Sequence, residues 1–153
     1  MRLIQKYREK GLLIDTNIAL LYLVGSYDVS LIRNHSRTAK YSESDFEKIS
    51  KFIDFFVEKV TTPHVLTEIS NLLGEGAELR AVLSGFIKSS TEYYLSGIDL
   101  SDSGAFLGYG LTDSAIFETG RSNYLVVTDD GPLYSFLLGS NVDAVNLTQI
   151  RMI

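Results

Sequence analysis

The chain contains no cysteine and only two histidines, His35 and His64. Disulfides, thiolate metal ligands and a cysteine nucleophile are therefore excluded, and neither histidine has metal-ligand spacing to another. Any metal held here must be held by oxygen, which suits Mg²⁺ or Mn²⁺ over zinc. The G-x-S-x-G elbow and the P-loop are missing, and Gly108-Tyr109-Gly110 lacks the third glycine of a dinucleotide fingerprint. An aspartyl-phosphate mechanism usually shows a second acid two residues after the first, but Asn17 stands two residues after Asp15. No apolar run approaches a membrane span, and the segment Met1 to Lys10 carries charge where a signal peptide needs apolar residues. The expectation is a soluble, cytoplasmic protein with no membrane partner.

Fourteen basic residues against 19 acidic ones leave a formal charge of −5. That balance argues against non-specific coating of long nucleic acid, whose affinity comes from neutralising many phosphates. It does not exclude an enzyme that holds a few phosphates through metal ions. With 153 residues, 45% hydrophobic and 22% charged, the chain reads as one globular domain over 1–153.

Leu12-Leu13-Ile14 predicts a strand, Asp15-Thr16-Asn17 a junction, and Ile18 to Val24 a helix broken by Gly25-Ser26. Ser30 to Lys40 holds Arg33, His35, Arg37 and Lys40 without one acid and reads as a basic loop or a helix start. Ser44-Asp45-Phe46-Glu47 fits a capping box, and apolar residues from Phe46 to Val60 recur at helical spacing. Phenylalanines at 46, 52, 55 and 56 exceed what one face can hide, so a dimer contact is expected to use the surplus. Thr62 as N-cap and Pro63 at the first helical position open a helix to about Leu73. Further helices are expected over Ala77–Ser89 and 101–108, with an extended piece around Tyr93 to Leu95 between them. Thr112 reads as the N-cap of a helix carrying Asp113 in its first turn. Tyr124 to Thr128 is a buried strand, Asp129-Asp130-Gly131-Pro132 turns into a helix ending near Gly139, and Val142 to Leu147 is a last strand. Strands separated by helices point to an α/β fold with a central parallel sheet covered on both faces.

Asp15, Glu68, Asp113 and the Asp129–Asp130 pair stand at or near strand-to-helix junctions or on helices that begin there. In parallel sheets, ligands sit beyond the carboxyl ends of the strands. Each acid has a structural alternative: Asp15 as an N-cap, Asp113 as a helix-dipole partner, the aspartate pair as turn chemistry, and Glu68 as a solvated side chain. Their joint placement favours a metal site, because convergent carboxylates repel unless a cation holds them. Asn17 adds a neutral oxygen and an amide that can orient a carboxylate or a water.

Leu13 to Asn17, Thr67-Glu68-Ile69, Gly110 to Ile116 and Val127 to Asp130 together resemble the PIN-domain family of metal-dependent ribonucleases, including the VapC type. The resemblance runs over nearly the whole chain. It implies a three-layer α/β/α sandwich, one or two Mg²⁺ or Mn²⁺ ions, and hydrolysis of RNA phosphodiester bonds. It assigns Asp15, Glu68 and Asp113 to the site. The family's Thr-x-Asp pattern selects Asp130 as the fourth acid, with Thr128 as a supporting hydroxyl and Asp129 as the alternative. Many VapC-type relatives are homodimeric toxins paired with an antitoxin protein, and others process RNA. The stretch from Arg33 to Val60 and the helix from Ala77 to Ser89 make this chain longer than the shortest members.

On this reading, Asp15 and Asp113 hold one metal that activates a water, and Glu68 with Asp130 serve a second ion or its waters. Two ions roughly 3.5–4 Å apart can clamp the attacking and leaving oxygens of an in-line displacement. Arg33, Arg37 and Lys40 are the expected RNA-phosphate contacts, with Arg2, Lys6, Arg8 and Lys10 as a second choice. The alternative is a non-catalytic PIN-like module that binds RNA or protein.

Overall fold

The computed structural model describes residues 2–153. Five strands form one parallel sheet in the order β3-β2-β1-β4-β5, comprising β1 (Leu12–Ile14), β2 (Lys59–Thr61), β3 (Thr91–Glu92), β4 (Leu125–Thr128) and β5 (Ala144–Asn146). Leu13 pairs with Val60 on one side and Val126 on the other. Every residue of β1 and β4 is buried, as expected of strands covered on both faces, and the fold is a three-layer α/β/α sandwich. No helix among the described residues is long and apolar enough to cross a membrane.

The strand order has a direct consequence for function. From β1 the chain moves outward to β2 and β3, then returns to place β4 on the opposite side of β1. The topological switch therefore falls between β1 and β4, where the loops leaving two adjacent strands diverge and open a crevice. Asp15 leaves β1 there, and Asp129 and Asp130 leave β4 there.

Helix α1 (Arg2–Tyr7) precedes the sheet, and α2 (Thr16–Tyr27) follows β1. Ile18, Ala19, Leu20, Leu21 and Val24 are all fully buried, so α2 is enclosed on nearly every side, between the sheet and α3 (Glu43–Asp54), α4 (Pro63–Leu73) and α5 (Ala77–Ser89). Gly25 and Ser26 do not break this helix. A Cβ on Gly25 would stand 2.1 Å from Phe46 Cδ1, so the glycine admits the Phe46 ring from α3. Its role is close approach, not termination.

The capping box of α3 is built by Ser42 and Asp45, two residues earlier than the sequence pattern suggests. The helix stops at Asp54, and Val60, expected on it, belongs to β2. Pairing of Lys59-Val60-Thr61 with β1 and β3 outweighs the helical spacing of the apolar residues. Phe52 and Phe56 are buried, Phe46 is partly buried against Gly25, and Phe55 packs edge-on against Phe56 and under Arg8. Phe52 and Phe56 are thus absorbed by the core, while Phe46 and Phe55 keep part of their surface exposed.

Thr62 caps α4 by accepting from Val65 N at 3.2 Å, with Pro63 in the first turn as expected. β3 falls at Thr91–Glu92, just before the expected Tyr93–Leu95. In place of a helix over 101–108 the chain forms α6 (Gly97–Ser101) and then α7 (Phe106–Gly120). α7 is interrupted at Gly110, whose φ of 89° and ψ of −173° lie outside helical space, and Ser114 Oγ donates to the Gly110 carbonyl at 2.6 Å. Gly110, not Thr112, therefore marks the start of the segment carrying Asp113. α8 (Gly131–Gly139) ends as expected, and β5 is shorter than Val142 to Leu147. After it, Asn146 and Gln149 close a capping box that starts α9 (Leu147–Arg151), a helix absent from the sequence reading although the N-x-x-Q signal is there.

Candidate active site

Asp15 is the first residue past β1 and the N-cap of α2. Its Oδ1 accepts from Thr16 N at 2.7 Å, and its Oδ2 accepts from Thr128 Oγ1 at 2.5 Å. The carboxylate is thus held at both oxygens, and Asp15 as a whole is only 7% exposed. Thr128 also accepts from Asp130 N at 3.0 Å, tying the end of β4 to the end of β1. Asp130 caps α8 by accepting from Leu133 N at 2.9 Å. The cap role weighed for Asp15 is therefore real, and Asp130, weighed as turn chemistry, caps a helix as well, so both carboxylates stand at the switch point.

Asp15, Glu68, Asp113 and Asp130 line one cavity of about 290 Å³, together with Thr16, Asn17, Tyr109, Leu111 and Thr112. Glu68 reaches it from the second turn of α4, and Asp113 from the segment of α7 that begins after Gly110. Four carboxylates from four elements converge with no Lys, Arg or His in the lining among the described residues. Burial pushes the Asp15 carboxyl up to about 7, against the lowering effect of the Thr128 and Thr16 hydrogen bonds and with a further push from Asp113 and Asp129. Asp113 is raised to about 6, by burial first and then by Asp130 and Glu68. Both shifts come first from burial, and the neighbouring carboxylates add to them in the same direction.

The donor chemistry fits a hard cation: carboxylates, an amide oxygen and hydroxyls, with no nitrogen or sulfur ligand. The Thr16 hydroxyl, on the cavity lining, is buried with no hydrogen-bond partner. As they stand, however, no three acidic or histidine side chains among the described residues are close enough together to hold an ion. Binding would require Glu68, Asp113 or Asp130, all at least partly exposed, to swing toward the rigid Asp15.

Asp129 does not line this cavity. It points to the other side of the turn, where it accepts from the Tyr41 hydroxyl and lies 3.3 Å from Lys40 Nζ. Asp129 borders a neighbouring cavity with Lys40, Tyr41 and Arg151. Of the three expected phosphate contacts, only Lys40 borders either cavity, while Arg33 and Arg37 are exposed on the same loop and border neither. His35 anchors that loop by donating from Nε2 to the Leu73 carbonyl at 2.9 Å and accepting from Arg37 N at Nδ1. His64, on the first turn of α4, lines neither cavity, and its buried Nδ1 has no hydrogen-bond partner. Tyr41 escaped the sequence reading because its partner is 88 residues away and no local motif links them.

The fold and site define an α/β domain with an acidic, oxygen-lined crevice at the switch point of a parallel sheet. No protein-family model matches the chain, and none of the curated proteins matches its sequence.

Proposed function

We propose that the protein is a metal-dependent endoribonuclease, a hydrolase of RNA phosphodiester bonds acting with Mg²⁺ or Mn²⁺ in a PIN-like site. The observation that carries this reading is the convergence of Asp15, Glu68, Asp113 and Asp130 on one cavity with no cation among its lining residues. The motif order that resembles the PIN family supports the same assignment.

A bound divalent ion would let the carboxylates remain ionised together, and would supply the positive charge that polarises a phosphate oxygen and lowers the pKa of a water. Asp15, held by Thr16 N and Thr128, is the fixed ligand, and its two hydrogen bonds keep the carboxylate oriented before the ion arrives. Asp113, Glu68 and Asp130 complete the set by side-chain rotation. Tyr109 and the exposed Leu111 form an apolar lip on the same cavity, against which a base or ribose can rest. Lys40 offers a cation near the turn that carries Asp130.

The test is incubation of purified protein with mixed RNA and with single-stranded DNA, in Mg²⁺, in Mn²⁺ and in chelator, beside Asp15→Asn. RNA cleavage that needs the cation and disappears in the variant is the expected result. Cleavage that survives in Asp15→Asn rejects the assignment. As the toxin of a toxin-antitoxin pair, the chain would also arrest growth when expressed without its antitoxin, and Asp15→Asn would not.

One observation favours the second reading, a non-catalytic module that binds RNA or protein. Asp15 and Asp130 already serve as helix caps, and the acids are not in ligating proximity as they stand. RNA binding without cleavage in any cation supports that alternative.

A further inference from the structure

Both oxygens of the Asp129 carboxylate are engaged. Oδ2 accepts from the Tyr41 hydroxyl and lies 3.3 Å from Lys40 Nζ, and Oδ1 lies 3.4 Å from Asn17 Nδ2. Tyr41 is 4% exposed, and the Lys40 ammonium also sits 5.0 Å from the centroid of its ring. Tyr41 and Lys40 therefore hold Asp129 at Oδ2 while Asn17 meets it at Oδ1. Asn17 belongs to both neighbourhoods, because it also lines the cavity of the four acids.

A side-chain amide has a donor end and an acceptor end, whereas an ionised carboxylate only accepts. Facing Asp129, Asn17 can turn only its NH₂ toward the carboxylate, since the reverse would set oxygen against oxygen. Its Oδ1 is the end that remains for the cavity.

We propose that Asp129 is a positioning residue: clamped by Tyr41 and Lys40, it orients Asn17 so that a neutral carbonyl oxygen, and not an NH₂ group, serves the acidic cavity. A fifth carboxylate at that place would add its charge to four acids that already share one cavity with no Lys, Arg or His in its lining among the described residues. An amide oxygen supplies a cation ligand, or an acceptor for the proton of a bound water, with no added charge. Lys40 meanwhile offsets the charge of Asp129 beside the cavity. The consequence for cation binding rests on the function proposed above, but the orientation of the amide does not.

Two measurements test this on the full chain. In chelator, the Asn17 side-chain NH₂ pair, identified by its loss in Asn17→Ala, is expected to move in the ¹H–¹⁵N spectra of Asp129→Ala and of Tyr41→Phe. Mn²⁺ titration by water-proton relaxation is expected to show affinity falling roughly tenfold in Asn17→Ala and in Asp129→Ala. The double variant should be no weaker than Asn17→Ala alone, because one residue acts through the other. Asp129→Asn, whose own carbonyl can face the Asn17 NH₂, should recover most of the loss. Amide signals unmoved in both Asp129→Ala and Tyr41→Phe overturn the proposal, and so do losses that add in the double variant. Amide signals that move as expected in a protein that binds no Mn²⁺ support the clamp and reject the cation-dependent function instead.

Discussion

The Thr128 hydroxyl donates to Asp15 Oδ2 at 2.5 Å, joining residues 113 positions apart in the chain. The sheet register makes this contact: Ile14 pairs with Val127, and Asp15 N donates to the Val127 carbonyl at 3.0 Å, so the next residue of β4 falls opposite Asp15. A strand that ends in threonine thus supplies the hydroxyl that fixes the acid ending its neighbour. Thr128→Val keeps the shape and removes that donor. It should cost about 1–3 kcal/mol at pH 8, where the Asp15 carboxylate loses a hydrogen bond, and less at pH 5. Urea unfolding at the two pH values measures the difference, and equal losses at both would show that the hydroxyl does not act through the charge of Asp15.

Asp15 also sets a pH dependence of stability. Its folded-state carboxyl is raised from 3.8 to about 7, so between these values the native state binds a proton that the unfolded chain has released. Stability therefore falls as pH rises through this window and levels off above it. Asp15→Asn removes the burden. In chelator the variant should exceed the parent by about 2–4 kcal/mol at pH 8 and show no such gain below pH 4. Mn²⁺ should raise the melting temperature of the parent at pH 8 and leave that of the variant almost unmoved. Parallel melting curves across pH, with and without Mn²⁺, would remove Asp15 from the cation site.

Arg151 on α9 donates to both oxygens of Asp45 in the α3 capping box, at 2.7 and 2.8 Å. The Arg151 hydrogen bonds lead the effects that hold the Asp45 carboxyl below its ordinary range. A depressed folded-state pKa stabilises above the unfolded value of 3.8, and the benefit disappears as pH falls through the lower native value. Arg151→Met should cost about 1–3 kcal/mol at pH 7, the half-exposed guanidinium keeping the figure below that of a fully buried pair. Near pH 3 the cost should shrink. Hydrogen exchange should show α9 opening first, and exchange unchanged in α9 would mean that this pair does not dock it.

Gly25→Ala places a methyl group 2.1 Å from Phe46 Cδ1. The fold should lose about 1–3 kcal/mol from overpacking, despite the better helix propensity of alanine. Phe46→Leu combined with it should restore part of the loss. Chemical denaturation of the single and double variants measures this coupling, and a neutral single variant would show that the ring moves aside freely.

Much of the architecture was legible in local patterns. The apolar runs of β1 and β4, Pro63 at the start of α4, and the limits Ala77–Ser89 and Gly139 all follow from signals within a few residues. Failures came where a distant partner changed the meaning of a local cue. Gly25 reads as a helix breaker until Phe46 packs against it, and Val60 continues a helical apolar spacing until β1 pairs with it. At the site, the strand-to-helix position of Asp15 was readable, whereas the opposite orientations of Asp129 and Asp130 were not. Asp130 caps α8 and lines the acidic cavity, and Asp129 turns away from that cavity to Tyr41 and Lys40.

Taken alone, the order of residues determined the absence of thiol chemistry, a parallel α/β layering and the positions where acids leave strands or enter helices, because composition, periodicity and capping act over short distances. Only the tertiary structure decided that β4 lies beside β1, which brings Asp15, Thr128 and Asp130 together and lets α4 and α7 deliver Glu68 and Asp113. It also decided which of two adjacent aspartates faces the cavity. The side to which a carboxylate turns depends on which donors wait there, and for Asp129 those donors come from a loop 88 residues earlier in the chain.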